Sequence, residues 1–486
     1  MTMSRNLAFS NAVGRFGLGC GAIDLPAVDD PRGYVRAQLD MPLTAPDAKL
    51  MSSSDQLQAM MHRRQVARKR REAMADAGSG NAMVKQGGAM QDGSMAMEPR
   101  AEPSMGGGMM ENEPEAKVTQ GPLTKGSDEL IAWLRLAAVT KAPLHERLFL
   151  HWSNHFTVGV GKGKSSLTAG SYQREAIRPF ILGRFHDMAK AAILHASMLY
   201  YLDNASSVGP DSKVGRIKKS GLNENLGREV LELHTLGVDG GYSQADVTAL
   251  ASVLTGWTVD LKPQSETFGE VVFRERQHQP GPKTILGKRY AEAGADEFLT
   301  VLTDLARHPS TARYVTRRMA RAFVSEKVSD LLQNSLAKVF RESDGDLKAV
   351  TAALVQSDEA WTAAPVKLRP PIEFLAATAR MIGRVPLRPS PVASLLAMGQ
   401  PFLAAPSPKG WAEEDDAWVT SDGIKSRIDW AQQCATLNAD HVDIRKVVDD
   451  RIGGYFSDET RRVIRQGESP EQALALLMLS PEFQRR

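Results

Sequence analysis

Two histidines one helical turn apart are the first candidates for chemistry in this sequence of 486 residues. His151 and His155 lie in the stretch 144–156, where a rotation of about 100° per residue places them on the same side as Leu148 and Trp152. Both imidazoles are therefore expected to point toward the core. An i, i+4 pair of this kind can hold one metal ion from a single helix face. However, Trp152 stands where the His-Glu-x-x-His pattern of metalloproteases requires glutamate.

A second set of candidates lies in the stretch 223–237, which reads as a helix that begins near Asn223 and ends at Gly237. Glu229 and Glu232 share one stripe of this helix with Asn225. His234 falls nearly opposite the two acids, so this helix cannot by itself bring all three groups to one ion. Glu229, Glu232 and His234 are the candidate catalytic residues.

A metal site would therefore have to combine two helices. The predicted ligands are His151, His155, Glu229 and Glu232, a mixed set that suits a divalent ion of iron, manganese or zinc. The two Glu-x-x-His repeats of di-iron bundles are absent. The alternative is a buried structural network, in which the histidines bond to carbonyls or acids and an arginine such as Arg147 or Arg174 reaches the glutamates from another helix.

The sequence motifs of several common enzyme classes and cofactor sites are absent from the chain. Gly17, Gly19 and Gly21 have no preceding strand, which excludes a dinucleotide fingerprint. A P-loop and a Gly-x-Ser-x-Gly elbow are missing, and no residue is assigned to organic cofactor binding. Cys20 and Cys434 are the only cysteines, too few for a disulfide framework or a cysteine-rich zinc site.

Charge and hydropathy limit the partners. The 60 Lys and Arg residues nearly balance the 57 Asp and Glu residues, so no nucleic-acid partner is expected. No run approaches the roughly 20 apolar residues of a membrane span. Residues 1–21 contain no uninterrupted apolar segment of a signal peptide. A cytoplasmic protein is expected, with export to the periplasm together with a signal-bearing partner as the alternative.

The spacing of apolar residues predicts an all-α, multi-helix globular domain with one small β-hairpin, formed by the strand-like stretches 267–273 and 284–290. A basic helix is expected at 55–77. Residues 78–127 are rich in Gly, Met, Ser and Pro and are expected to be disordered. Their methionines could bind Cu(I) through soft thioethers, or could be plain low complexity.

Several separate motifs, in order, resemble the bacterial family called domain of unknown function 1800. The stretches that carry the resemblance are 15–19, 150–156, 223–259, 283–287, 308–313, 367–373, 398–401, 408–411 and 480–483. The resemblance divides the chain into an N-terminal part of the family domain at 1–50, an insertion at 51–127, and the main helical part at 128–486. Members of the family are often encoded beside a second, sulfatase-like family, which the resemblance offers as a protein partner.

Two functions follow from these observations. One is a metal or polar active site between the central helices, built from His151, His155, Glu229 and Glu232. The other is a non-catalytic helical scaffold that binds a protein partner, with the same groups fixing the fold. The metal content of the purified protein separates the two.

Overall fold

The computed structural model describes residues 5–21, 30–46, 49–80, 124–161, 163–219, 221–262, 264–362, 365–444, 447–448 and 455–486. The described chain is predominantly helical, as predicted. The helices of the first half are α1 (Arg5–Ser10), α2 (Pro31–Ala37), α3 (Ser53–Gly80), α4 (Gly126–Val139), α5 (Pro143–His155), α6 (Ser165–Tyr172), α7 (Phe185–Ile193), α8 (Ala196–Tyr201), α9 (Lys213–Lys218), α10 (Asn225–Glu229) and α11 (Gln244–Leu254).

The second half continues the helical pattern. Its helices are α12 (Ala295–Arg307), α13 (Pro309–Phe323), α14 (Asp330–Glu342), α15 (Leu347–Gln356), α16 (Glu359–Thr362), α17 (Pro371–Ile382), α18 (Pro391–Ala397), α19 (Ser421–Asn438), α20 (Asp458–Arg465), α21 (Pro470–Leu479) and α22 (Pro481–Gln484). π-Helical turns interrupt the α-helices at Asn11–Arg15, Gln173–Ile177 and Val230–Thr235.

The strands form two small antiparallel pairs rather than the single hairpin expected. β1 (Trp257–Val259) pairs with β2 (Val271–Phe273), and β3 (Lys283–Ile285) pairs with β4 (Lys288–Tyr290). Leu286 and Gly287 join β3 to β4 with φ angles of 48° and 76°. Two consecutive positive φ angles are typical of the two-residue turns that close hairpins locally. The local turn therefore pairs β3 with its neighbour in sequence and leaves β2 to pair with the short β1.

One continuous hydrophobic cluster joins the helices. α4 packs against α17, α13 against α14, and α19 against α21. The N-terminal stretch belongs to the same core, because Phe16, Leu18 and Cys20 are almost fully buried. Cys20 and Cys434 are both buried and free.

Helix α3 changes character along its length. Its first two turns are part of the core, where Leu57 is fully buried and the Ser53 hydroxyl lies 2.8 Å from that of Ser171 in α6. From His62 to Ala75 nearly every side chain is exposed, including the arginines and Lys69. The predicted basic helix is thus present. The predicted disorder falls mainly on residues 81–123, which lie outside the described residues, as do the methionines proposed for Cu(I).

None of the helices in the described parts of the chain is both long enough and apolar enough to cross a bilayer.

Candidate functional site

Helix α5 carries the two predicted histidines and directs them inward. It begins at Pro143, which fits the first helical position because its missing N–H would have no partner there. His151 is 7% exposed and His155 is fully buried. Their rings pack edge-on against Trp152, with centroid distances of 4.8 and 5.5 Å. The inward direction predicted from helical spacing is therefore what the structure has.

His155 uses both of its ring nitrogens. Nε2 lies 3.1 Å from the carbonyl oxygen of His234, and Nδ1 lies 3.2 Å from Nη1 of Arg318. Because a guanidinium group only donates hydrogen bonds, Nδ1 must accept and Nε2 must carry the proton. Burial, followed by the charge of Arg318, holds the pKa of His155 well below its ordinary value. His155 is a neutral structural link between α5 and the helix of the acids, with no free lone pair.

The predicted acids lie on α10 and on the π-helical turn that continues it. In this turn the Leu236 N–H donates to the Leu231 carbonyl oxygen at 2.9 Å, a residue i to i+5 bond. Glu229 and Glu232 are half-buried, whereas His234 is fully buried. Burial and the nearby Glu232 raise the pKa of Glu229 to about 7. Glu232 accepts a hydrogen bond of 3.0 Å from the Tyr242 hydroxyl.

The structure does not link the histidines of α5 to these glutamates. Within the described residues, no hydrogen bond or ion pair connects His151 or His155 to Glu229 or Glu232; the contact between the two helices is made by the His234 backbone. In the same parts of the chain, no group of three or more His, Cys, Asp and Glu side chains is placed to hold a metal ion. The four-ligand metal site remains a prediction, and the geometry offers it no support.

The two arginines considered as partners of the glutamates are engaged elsewhere. Arg147 pairs with Glu373 of α17. Arg174 binds both carboxylate oxygens of Glu129 in α4, at 2.9 and 3.0 Å. Each arginine is therefore paired with an acid that lies far from Glu229 and Glu232 in the sequence. The suggested pairing was wrong, because helical spacing places a side chain on a face but does not say which distant segment meets that face.

A pocket with a volume of about 140 Å³ opens beside His151, between α5, the start of α17 and the segments 400–405 and 411–418. The Nε2 atom of His151 is buried and has no hydrogen-bond partner among the described residues. Burial and the charges of Arg318, Arg147 and Arg486 hold the pKa of His151 well below its ordinary value. A neutral imidazole therefore lines the pocket.

Ionic side chains form one wall of the pocket. Glu373 contacts Arg147 and also the Nε atom of Arg486, the latter at 2.7 Å. Lys367 is 2% exposed, and its Nζ atom donates to the carbonyl oxygens of Arg321 and Glu413 at 3.1 and 2.8 Å. Burial, followed by the charge of Arg486, lowers the pKa of Lys367 to about 8. This wall can attract, orient and exchange protons with a polar ligand.

Two tryptophans also line the pocket. The rings of these residues, Trp411 and Trp418, lie 6.1 Å apart. Asn154 of α5 fixes the position of Trp411, because its side chain accepts from the Trp411 N–H at 2.7 Å and donates to the Trp411 carbonyl oxygen at 3.0 Å. Gly410 allows the close approach, since a Cβ atom there would lie 2.5 Å from Asn154 Oδ1.

Trp411 and Trp418 thus border the pocket. Trp257 lies apart from them in β1, where it is half-buried and its ring packs 5.3 Å from that of Phe273.

Other residues of the pocket were not candidates in the sequence. Arg147 was expected beside Glu229 and Glu232, and its position four residues before His151 places it on the stripe that directs the histidines inward. Lys367 and Glu373 lie within a stretch that carried the family resemblance, but nothing in it indicated a meeting with α5. Arg486 had no signal of any kind. The predicted candidates Glu229, Glu232, His234 and His155 do not line the pocket.

Fold and site together define a helical protein with a mixed ionic and aromatic pocket between its central helices. The chain belongs to the family described as "Protein of unknown function (DUF1800)", whose sequence profile matches residues 11–485. This confirms the resemblance over nearly the whole chain. Comparison with curated proteins and with solved structures gives no match.

Proposed function

We propose that this protein binds a small organic molecule in the pocket beside His151, and that this pocket is its polar active site. The observation that carries the proposal is that residues from separate stretches of the chain meet at one pocket. His151, Lys367, Gln400 and Trp411 come from four stretches that each contributed to the family resemblance, and all four residues line the same pocket.

The chemistry of these residues supports a ligand site over a purely structural network. Buried polar atoms in proteins are nearly always hydrogen-bonded, so the unpartnered Nε2 atom of His151, a residue that lines the pocket, supports a ligand that reaches this ring. Apolar walls with a few polar groups are typical of small-molecule sites. The pocket also brings together a neutral imidazole, a lysine of lowered pKa and a carboxylate, three groups that can transfer protons.

A fragment screen by ligand-observed NMR tests the proposal. Fragments that bind the wild type are expected to bind the His151→Ala variant at least about 10-fold more weakly, a loss of about 1.4 kcal/mol. The matched control is His441→Ala, which removes an exposed histidine that does not line the pocket. If His151→Ala fails to fold by circular dichroism, His151→Gln keeps a polar atom in the same place.

Fragments that bind both variants equally would place the ligand elsewhere, and a screen without hits would favour the scaffold function. Elemental analysis of protein purified without chelator or affinity-tag metal tests the remaining alternative. Stoichiometric metal that disappears in His151→Ala would support the metal site predicted from the sequence.

A further inference from the structure

We infer that the ligand of this pocket is a small organic anion, an inference that rests on the function proposed above. Its carboxylate or phosphate group would face Lys367 and Arg486, and its apolar part would lie against Trp411 and Trp418. The inference follows from the balance of buried charge around the pocket, from the hydrogen-bonding capacity left at its wall, and from the aromatic surface of the two tryptophans.

Buried cations outnumber the buried carboxylates that meet them. Arg147 and Arg486 share the single carboxylate of Glu373. Behind them, Arg369 and Arg427 are almost fully buried and bind carbonyl oxygens: Arg369 Nε that of Phe483 at 2.9 Å, and Arg427 Nη2 that of Arg369 at 2.7 Å. Carbonyl oxygens orient a guanidinium group but do not neutralise its charge. Burying charge without a counter-charge is costly, and an anion in the pocket would reduce that cost.

The remaining acids of the pocket do not remove this excess. Glu129 is bound by Arg174, and Glu413 by Arg318 at 2.7 Å. Asp415 accepts from the Leu368 N–H at 3.0 Å and lies in the field of Lys367. Once these pairs are assigned, three acids, Glu373, Asp415 and Glu326, remain to face five cations: Lys367, Arg147, Arg486, Arg369 and Arg427. The pocket wall retains an excess of positive charge.

The wall also retains donors for an anion. An ammonium group has three N–H donors, and Lys367 uses two of them on carbonyl oxygens, so the third is available to a ligand. Arg486 directs Nε to Glu373 and Nη1 to the Ala322 carbonyl oxygen. Its Nη2 atom makes no hydrogen bond with the described residues. In agreement with an uncompensated field, burial and then the charge of Arg486 lower the pKa of Arg147 to about 9.

Matched probes test the inference. Phenylacetate and phenylacetamide have nearly the same shape and differ in charge, and phenyl phosphate offers the other anionic group. Binding is measured by calorimetric titration and by quenching of tryptophan fluorescence. At least one of the two anions is expected to bind the wild type at least about 10-fold more tightly than the amide, and the anion that does so identifies the group recognised.

Substitutions of Lys367 test whether this residue is responsible for the preference for an anion. Lys367→Met is expected to reduce the preference for the anion over phenylacetamide at least about 10-fold, whatever its effect on the affinity for the amide. Lys367→Arg should retain much of the preference. Lys425→Met, which removes an exposed lysine of α19, should behave as the wild type.

The outcomes separate this inference from the proposed function. If phenylacetamide binds as tightly as both anions, and His151→Ala abolishes its binding, the pocket is a ligand site but the inference is overturned. The inference is also overturned if neither anion binds, while the fragment screen then decides independently whether the pocket takes any ligand.

Discussion

Glu373 is the one carboxylate that two buried guanidinium groups share at the pocket wall, and it is only 5% exposed. Burial, the largest single effect, raises the pKa of Glu373. The charges of Arg147, Arg486 and Arg369 together outweigh burial and leave this pKa below its ordinary value. The ionised form is therefore the one that the fold requires. This residue connects the stability of the protein with the electrostatics of its proposed site.

Glu373→Gln is expected to lower the free energy of unfolding by about 3–5 kcal/mol, because it leaves two buried cations without their counter-charge. Guanidinium chloride denaturation followed by circular dichroism measures the loss. The control is Asp429→Asn, which breaks the exposed pair with Lys425 and should cost no more than about 1 kcal/mol. A Glu373→Gln variant as stable as this control would contradict the assigned role.

For Glu229, removal of the carboxylate charge is expected to stabilise the protein, in contrast to Glu373. Burial and the neighbouring Glu232 raise its pKa in the folded protein from 4.5 to about 7. The folded chain then binds more protons than the unfolded chain between these two values. The resulting stabilisation is complete below about pH 4.5 and is lost as the pH rises through about 7.

Glu229→Gln should therefore be more stable than the wild type at pH 8, by about 1–2 kcal/mol once solvent screening is considered, and this difference should vanish near pH 4. Denaturation at a series of pH values measures the difference. Glu275→Gln, at an exposed position, serves as the control and should follow the wild type throughout. Equal pH profiles for the wild type and Glu229→Gln would show that the carboxyl is fully solvated.

Helices α5 and α10 show how much the spacing of residues along a helix can predict about the site. The burial of His151 and His155 follows from a regular rotation per residue, and it could be predicted. The partners of His155 could not, because the His234 carbonyl and Arg318 belong to distant segments of the chain. The π-helical turn at Val230–Thr235 also changes the rotation just where the candidate acids and His234 occur. Its i to i+5 bonding has no reliable sequence signal.

The segment between the π-helical turn at Val230–Thr235 and α11 contains two glycines that allow a test of local geometry. Gly237 follows the helix with a φ of +84°, and a Cβ atom there would lie 2.7 Å from Cδ2 of Tyr314. Gly241 has a similar φ of +90°, but its added Cβ would meet nothing within 4 Å. The two glycines thus share one backbone requirement and differ in packing.

Gly241→Ala is expected to cost about 1–2 kcal/mol, from backbone conformation alone. Gly237→Ala should cost about 1–3 kcal/mol more, because Tyr314 must shift in a packed core. Thermal and chemical denaturation of the two variants, compared side by side, measure the difference. Equal costs would mean that Tyr314 moves aside freely.

Across the whole molecule, the helical class and the small β content could be predicted, since both follow from local periodicity and turn chemistry. The pocket could not, because its residues come from α5, from the start of α17 and from irregular segments that only the tertiary fold brings together. The cytoplasmic or periplasmic compartment and the partner from a sulfatase-like family stay predictions. The division of the chain at residues 50 and 127 also stays a prediction, although the first turns of α3 contribute Leu57 to the core.

Residues 81–123 are expected to be dispensable for folding, because their composition supplies no core. Replacing them with a 20-residue Gly/Ser linker of about 25 Å average span should keep one cooperative unfolding transition at nearly the same temperature. Differential scanning calorimetry measures this. Leu57→Ala in the retained part of α3 should, in contrast, cost about 2–5 kcal/mol. Loss of the cooperative transition in the linker variant would falsify the prediction.

If the chain were cut in the exposed half of α3, the N-terminal stretch would be held to the rest of the protein by non-covalent contacts alone. Arg15 and Asn11 donate to the carbonyl oxygens of Ala360 and Trp361, and the Met51 N–H donates to the Thr124 hydroxyl at 3.0 Å. Trypsin has exposed arginines to cleave between positions 63 and 71. A cut there would leave two fragments that stay associated. The same reasoning makes the protein a candidate for assembly from two separately expressed chains, 1–75 and 124–486, whose association would report on folding without any knowledge of the ligand.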